Sequence, residues 1–514
     1  MLFLKFILAM LPIIWLIIAL AGLKMPGYRA CPIALVVGII ASMIIWKLSP
    51  VNMATACVEG ILNALWPICL VIVAAMFTYN LTLETKAMDK IKQMLTMVSN
   101  DKRILVLIIA WGFGGFMEGM AGFGTAVAIP ASMLVALGFE PIFSAVVCLV
   151  ANAAPTAFGS VGVPTTTLSS VAGVDAATLA SSTGLQLALF MFITPFVMVA
   201  MSGKGLKGLK GMIPTTLISS LCFVGPFYLA SHFLGAELPD ILGSICCMVG
   251  TIVASRIFNR NPPEEFCISA EKSEKTKSSI ALGEAVRAWM PFLLIFVLLM
   301  VTSSLIPPIH DFLAQFKSTA HIYAGDETSM LSFSWINTPG VLIFIAAIIG
   351  GMVQGASAST MWKVFKSTMV SMSKTILTIC SVLALAKVMS HSGMISDIAK
   401  FFVAVTGHYY PLVAPLIGAL GAFVTGSGTS TSVLFGGLQA ETAAALGINA
   451  SWLASANTVG ACIGKMICPQ SIAIGVGAIN QPNSDSQILK KSIKYCAAYV
   501  VLAGVLCFAG SLML

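Results

Sequence analysis

Residues 112–130 read GFGGFMEGMAGFGTAVAIP and residues 421–437 read GAFVTGSGTSTSVLFGG, two apolar stretches interrupted by glycine. Glycine clusters favour breaks in an apolar helix, because glycine has no side chain to restrict the backbone. A helix that breaks inside a membrane leaves unpaired backbone N–H groups, and the N-terminus of a half-helix favours an anion. Interrupted segments at corresponding places in two halves of a chain are typical of substrate sites in secondary transporters.

The two stretches are part of a repeated pattern. The first copy runs Gly122-Phe123-Gly124-Thr125, Leu137-Gly138, Ala151-Asn152 and Gly159, and the second runs Gly426-Ser427-Gly428-Thr429, Leu446-Gly447, Ala456-Asn457 and Gly464. The four landmarks recur in the same order after about 305 residues. We therefore predict a first repeat over residues 1–211, connecting spans and a polar loop over 212–287, and a second repeat over 288–514.

Composition places both repeats in a bilayer. Of the 514 residues, 58% are hydrophobic and only 9% are charged, and the mean hydropathy is +0.97. A soluble chain carries roughly a quarter charged residues, whereas a membrane-spanning helix needs about 20 apolar ones. Sixteen apolar windows recur along the whole chain. The number of spans falls to about twelve if some windows are re-entrant pieces that do not cross the membrane. The predicted fold is an all-α polytopic membrane protein with two inverted-topology repeats and broken or re-entrant helices.

The basic residues predict the orientation. The formal net charge is +8, but the Lys and Arg residues lie in short loops between apolar spans. We therefore expect no nucleic-acid partner. The main clusters lie in 80–103, 204–210, 256–287, 357–374 and 490–494, and all fall on one side of the predicted spans. The positive-inside rule makes that side cytoplasmic and the polar loop 307–337 external. The first repeat then enters its broken segment from the cytoplasm at 103, and the second from outside at 411, which inverts one repeat relative to the other.

Ionisable and polar residues inside the spans are the candidate ligands. Glu118 lies in the first interrupted segment, and Lys465 lies just after Asn457 of the second repeat. Charges inside a membrane are costly and usually functional. Asn152 and Asn457 are matched amides, and Thr125, Ser427 and Thr429 offer hydroxyl groups. The alternative is structural: glycine and serine let helices approach closely, the amides cap helices, and the charges reach an interface. Glu59 and Lys387 are further candidates.

Other chemistries lack their motifs. Gly464-Lys465 is followed by Met466 without the upstream glycine spacing of a nucleotide-binding loop. The five histidines have no metal-ligand spacing, and the 13 cysteines form no CxxC motif. We therefore expect neither an enzyme nor a bound cofactor or metal.

Three motifs carry a family resemblance. Met117-Glu118-Gly119-Met120-Ala121-Gly122-Phe123-Gly124, the run from Ala151 to Gly159 (ANAAPTAFG) and the run from Gly464 to Ala473 (GKMICPQSIA) resemble the bacterial lactate permease family over nearly the whole chain. The resemblance implies proton-coupled uptake of lactate or glycolate across the bacterial cytoplasmic (inner) membrane. One position departs from it, because members often carry Asp where this chain has Gly428. A more distant analogy to ion transporters with paired hairpins implies a homodimer.

The predicted function is thus import of a small 2-hydroxy-monocarboxylate by proton symport. Lys465, Asn152, Asn457, Thr125, Ser427 and Thr429 are predicted to bind the substrate, and Glu118 to carry the proton. The alternatives are a sodium-coupled or exchange carrier for another organic anion, or an anion channel, which would use similar polar pore chemistry.

Overall fold

A computed structural model describes residues 2–23, 25–122, 124–203, 205–260, 262–268, 281–303, 305–326 and 330–513. Phe123 of the first glycine motif lies outside the described residues. So do Lys204, Lys272, Lys275 and Lys277 of the predicted cytoplasmic clusters. Between turns and loops the described elements are helices, apart from one isolated bridge and one antiparallel hairpin. In the hairpin, Lys317 pairs with Ser334 and His321 with Met330.

The helices of the first part of the chain are α1 (Leu2–Ala9), α2 (Leu11–Ile17), α3 (Gly27–Ile44), α4 (Pro50–Asn63), α5 (Leu70–Glu84), α6 (Ala87–Thr96), α7 (Lys102–Leu105), α8 (Gly114–Met120), α9 (Thr125–Ala136), α10 (Pro141–Ala151), α11 (Gly159–Ala172), α12 (Ala176–Ser202), α13 (Ile213–Phe233) and α14 (Pro239–Phe258). Wider π-helical turns connect several of them, at Ile18–Gly22, Ala64–Cys69 and Val106–Phe113. Tighter 3-10 turns lie at Pro155–Phe158, Leu206–Leu209 and Glu264–Phe266.

The second part contains α15 (Leu282–Thr302), α16 (Pro307–Ala314), β1 (Lys317–His321), β2 (Met330–Ser334), α17 (Pro339–Gln354), α18 (Ala358–Ser392), α19 (Met394–Thr406), α20 (Tyr410–Thr425), α21 (Gly428–Leu446), α22 (Ala450–Gly464), α23 (Pro469–Ile479) and α24 (Asp485–Ser511). A 3-10 turn at Gly407–Tyr409 joins α19 to α20.

The all-α polytopic fold is confirmed. Within the described ranges, 11 helices are long and apolar enough to cross a membrane, or up to 13 if each bent pair counts as one span. Some predicted windows are shorter pieces: residues 122–137 contain only the 12-residue helix α9, and α10 meets α11 at a 58° bend. Hydropathy alone overcounts such segments, because a half-helix is as apolar as a complete span.

The helix α18, with 35 residues, is the longest helix of the described chain. At about 1.5 Å per residue it is roughly 50 Å long, more than the thickness of a hydrocarbon core. The basic stretch 357–374 is its first half and not a loop. At its other end the ring of His391 stacks on Tyr323, which follows β1, with centroids 3.6 Å apart. The hairpin and the basic end of α18 therefore lie at opposite ends of one spanning helix.

Arg103 contacts residues from three of the segments that are predicted to be cytoplasmic, 80–103, 204–210 and 256–287. Its guanidinium is fully buried, pairs with Asp101 at 2.7 Å, and donates hydrogen bonds to the backbone oxygens of Gly208 and Lys210. The Phe266 ring stacks on it at 3.9 Å. The segments around 101–103, 208–210 and 266–268 are thus packed together, as expected if all of them are cytoplasmic.

This arrangement predicts opposite accessibility for Ser359, in the basic end of α18, and Ser318, in β1. Each serine is exposed and can be replaced singly by Cys in a version depleted of the native cysteines. A membrane-impermeant thiol reagent added to intact cells should label Ser318→Cys only, and Ser359→Cys should react after the cells are opened. Labelling of both from outside would contradict the topology and the inverted repeats with it.

Candidate functional site

Both interrupted segments line one cavity of about 460 Å³. Glu118, Gly122 and Gly124 come from the first segment, and Thr425 to Ser430 come from the second. Asn152, a landmark of the first repeat, and Lys465, which follows the landmark Gly464 of the second, also line it. The cavity therefore assembles, from distant parts of the chain, most of the residues that the sequence selected.

The breaks have the backbone geometry that glycine permits. The first glycine of each copy takes a left-handed conformation, with φ of +62° at Gly122 and +72° at Gly426. Gly124 is left-handed as well, at +88°. A side chain at Gly122 would collide with the Ser160 hydroxyl, and one at Gly426 with Gln470. Only glycine can turn the chain at these two points and leave space for the neighbouring wall.

Three helices begin at the cavity wall. α9 starts after Gly124, α21 starts after Ser427, and α23 starts at Pro469. The first N–H groups of a helix have no partner inside it and carry a partial positive charge, so their convergence favours an anion in the cavity.

Some of the Ser and Thr hydroxyl groups in the second interrupted segment stabilise the break between α20 and α21. The Ser427 hydroxyl accepts a hydrogen bond from the Ser430 N–H at 3.2 Å and caps α21. The hydroxyl oxygens of Thr425 and Thr431 are hydrogen-bonded across the break at 3.0 Å. The Thr429 hydroxyl makes no hydrogen bond within the described chain. Thr429 lies in the first turn of α21 and lines the cavity.

The charged residues of the site form a buried ion pair. The Lys465 ammonium donates to Glu118 Oε1 at 3.2 Å, although the two residues are 347 positions apart. The Glu118 side chain is 3% exposed and that of Lys465 is 12% exposed. Glu118 Oε2 is buried and has no hydrogen-bond partner among the described residues. Gly159 leaves room for the carboxylate, since a Cβ there would lie 2.8 Å from Oε1.

The predicted amide and threonine ligands differ in their positions. Asn152 lines the cavity, its Nδ2 is 3.4 Å from Thr156 Oγ1, and its buried Oδ1 has no partner within the described ranges. Thr125 donates to the Gly122 carbonyl at 2.8 Å and does not reach the cavity wall. Asn457 is fully buried in the middle of α22, also away from the wall.

Asp240 is a carboxyl group near the site that sequence reasoning missed. It lies in the first turn of α14, is 1% exposed, and packs against Gly119: a Cβ at that glycine would lie 2.9 Å from Asp240 Cβ. Gly119 directly follows Glu118 in α8, so Asp240 packs beside the helical turn that carries Glu118. In sequence, an acid that begins an apolar span after Pro239 is typical of a membrane interface, so its burial depends on tertiary packing.

The other two charged candidates form a separate cluster. Glu59 binds Lys387 at 2.7 Å and the His391 ring at 2.8 Å, near the hairpin end of α18. Neither Glu59 nor Lys387 lines the cavity.

Known proteins are similar to this sequence over most of its length. The family profile described as L-lactate permease matches residues 5–513. An L-lactate permease of Streptococcus iniae is 44% identical over 89% of this chain and 94% of its own. The glycolate permease GlcA of Escherichia coli K12 is 34% identical over 97% of this chain and 94% of its own.

Among solved structures, Neisseria gonorrhoeae MtrF, described as illuminating a class of antimetabolite efflux pumps, is 13% identical and covers 94% of this chain and 95% of its own, with a TM-score of 0.53. That likeness concerns the fold alone. The full-length profile match, the identity to the curated permeases and the multi-pass helical fold lead to one assignment: this chain belongs to the L-lactate permease family.

Proposed function

We propose that this protein is a secondary active transporter that imports lactate, glycolate or a related 2-hydroxy-monocarboxylate by proton symport. The observation that carries the proposal is the buried Lys465–Glu118 pair in a cavity between two interrupted helices. The curated relatives named as lactate and glycolate permeases support this class of substrate.

The ion pair suggests how substrate and proton are exchanged. A substrate carboxylate that binds Lys465 takes the ammonium away from Glu118. A buried carboxylate without its partner is strongly destabilised, so Glu118 binds a proton when the substrate binds. Asn152 and Thr429 are placed on the cavity wall to hydrogen-bond the carboxylate or the 2-hydroxyl group, and Ser427 to fix the helix N-terminus beside them. Thr125 and Asn457, which lie behind the wall, we assign to supporting the site.

Membrane energetics favour this coupling. Moving one anion inward against an inside-negative potential costs roughly 2.3 kcal/mol per 100 mV, and one accompanying proton removes that charge. The neutral combination of Lys465⁺, substrate anion and protonated Glu118 matches the neutral empty pair, so loaded and empty sites cross the membrane at similar electrostatic cost.

The cavity belongs to one state of an alternating-access cycle. Its wall includes Tyr28 and the exposed Lys374, in the basic half of α18, and none of the described residues of the hairpin. With the predicted orientation, this state is open to the cytoplasm. We propose that the repeats 1–211 and 288–514, connected by 212–287, form the outward-open state by exchanging conformations. The homodimer stays a prediction.

The test uses purified protein in liposomes. A counterflow panel of L-lactate, D-lactate, glycolate, pyruvate and a dicarboxylate identifies the substrate class. The same vesicles are then given an inward proton gradient, an inward sodium gradient or neither. We expect accumulation of a 2-hydroxy-monocarboxylate above the outside concentration with the proton gradient only. Accumulation with sodium alone, exchange without any accumulation, or flux that does not saturate would replace the proposal by a sodium-coupled carrier, an exchanger or a channel.

A further inference from the structure

Asp240 is a buried acid for which the mechanism above has no role. Both of its carboxyl oxygens are buried without a hydrogen-bond partner in the described part of the chain, and the residue is 1% exposed. Unpaired buried polar atoms of this kind call for an explanation, and a lone buried carboxylate is among the costliest of them.

The ionisable groups around Asp240 cannot balance a charge on it. The helix α8 contributes Glu118, another acid, which is already paired with the Lys465 ammonium. The helix α22 contributes the buried Cys462 thiol, which carries no positive charge. On α13, Cys222 contacts Gly250, further along α14, and His232 binds Ser181 at 2.8 Å. The segments 106–113 and 155–158, also packed on α14, contain no ionisable side chain.

A single proton bound to Asp240 balances the charges of this group of residues. With Lys465 and Glu118 both ionised, the site is neutral only if Asp240 is protonated. The N-terminus of α14 favours an anion near Asp240, but this effect at a helix end is smaller than the cost of burying an unpaired carboxylate. The carboxyl group of Asp240 is therefore a proton store next to Glu118.

The position of Asp240 indicates the direction in which this proton moves. Glu118 lines the cavity, whereas Asp240 lies behind it and does not. Asp240 follows the 234–238 connection between α13 and α14, which the predicted topology places outside. This connection packs inward, because the Ala236 carbonyl fills the space beside Gly162, close to Ser160 on the cavity wall. With the predicted topology, Asp240 thus lies between the external connection and Glu118, and it does not line the cavity.

We propose that Asp240 delivers the coupling proton from the external side to Glu118, an inference that rests on the proposed proton symport. The O–H bond of Asp240 breaks and a new O–H bond forms at Glu118 Oε2, the oxygen that Lys465 leaves free. Water at the external connection then returns a proton to Asp240. The two carboxyl groups are not hydrogen-bonded to each other in this conformation, so the transfer belongs to a different step of the cycle from the one seen here.

The experiment compares wild type, Asp240→Asn and Asp240→Glu in liposomes. Lactate–lactate exchange and uptake driven by a proton gradient are measured on the same preparation over a range of external pH. In Asp240→Asn, we expect exchange within about twofold of wild type and gradient-driven uptake lowered by about tenfold or more, since a positioned acid contributes at least that much to proton transfer. Asp240→Glu keeps the acid and should restore the uptake. Equal gradient-driven uptake by wild type and Asp240→Asn would overturn the relay.

Infrared spectroscopy covers the case in which Asp240→Asn does not fold. The proposal requires a carbonyl-stretch band of a protonated carboxylic acid in the wild-type protein at neutral pH, which shifts in Asp240→Glu. A spectrum that is identical in the two proteins would overturn the proposal. If wild type itself shows no proton coupling, the proposed function fails; if wild type is coupled and Asp240→Asn is coupled equally well, only the role of Asp240 fails.

Discussion

Replacing Lys465 by Gln is expected to weaken the apparent affinity for lactate by on the order of 100-fold. The ammonium lies in a site where it is 12% exposed, among converging helix N-termini. Removing one partner of a buried charge pair costs about 2–5 kcal/mol, and each 1.4 kcal/mol is a factor of ten in affinity. Lys465→Arg should restore the affinity only in part, because a planar guanidinium cannot occupy the place of a compact ammonium.

The measurement is the half-saturation concentration for lactate in exchange assays, with expression and folding checked for each variant. Lys465→Gln alone leaves Glu118 buried without its partner, so the double variant Lys465→Gln/Glu118→Gln is measured beside it. The double variant should fold better than Lys465→Gln and still bind lactate weakly. Lys387→Gln, which breaks a buried pair outside the cavity, is the matched control and should leave half-saturation unchanged. An unaltered half-saturation in Lys465→Gln would show that this residue only packs.

The local pattern of the sequence predicts several of the residues that line the cavity. Charge inside an apolar segment identified Glu118 and Lys465, and glycine spacing identified the breaks at Gly122 and Gly426. Both signals are local, since a membrane penalises each charge and each broken helix individually. The pairing of Glu118 with Lys465, 347 positions away, is a tertiary contact for which one sequence carries no direct signal.

The same reasoning explains what the sequence could not provide. Asn152 and Asn457 occupy matched places in the pattern, yet only Asn152 reaches the cavity, because Asn457 lies in the middle of a straight helix whereas Asn152 ends one. Asp240 has the local pattern of an interfacial acid, and its burial follows from packing against Gly119. Apolar windows also could not distinguish the half-helix α9 from a complete span, since both have the same hydropathy.

Replacing Glu118 by Gln is expected to separate transport from its driving force. Gln is similar in shape and offers Lys465 an amide oxygen, but it cannot bind or release a proton. Lactate–lactate exchange should therefore continue in Glu118→Gln, since exchange needs only a substrate-loaded site that is neutral overall. Accumulation driven by a proton gradient should fall to the level reached without the gradient. Its loss would be complete, because no other acid lines this cavity within the described residues.

Glu59→Gln separates this role from a general effect of losing a buried carboxylate. Glu59 is also buried and also paired to a lysine, at 2.7 Å, but its pair lies outside the cavity. With both variants in liposomes, exchange and gradient-driven uptake are measured with and without an imposed pH difference. If Glu118 carries the proton, Glu118→Gln loses uphill uptake and keeps exchange, whereas Glu59→Gln keeps the ratio of the two activities. A parallel fall of both activities in Glu118→Gln would mean that this residue only packs the broken helix. Full accumulation by Glu118→Gln together with its loss in Glu59→Gln would contradict this role. The coupling proton would then be assigned to Glu59, at the hairpin end of α18.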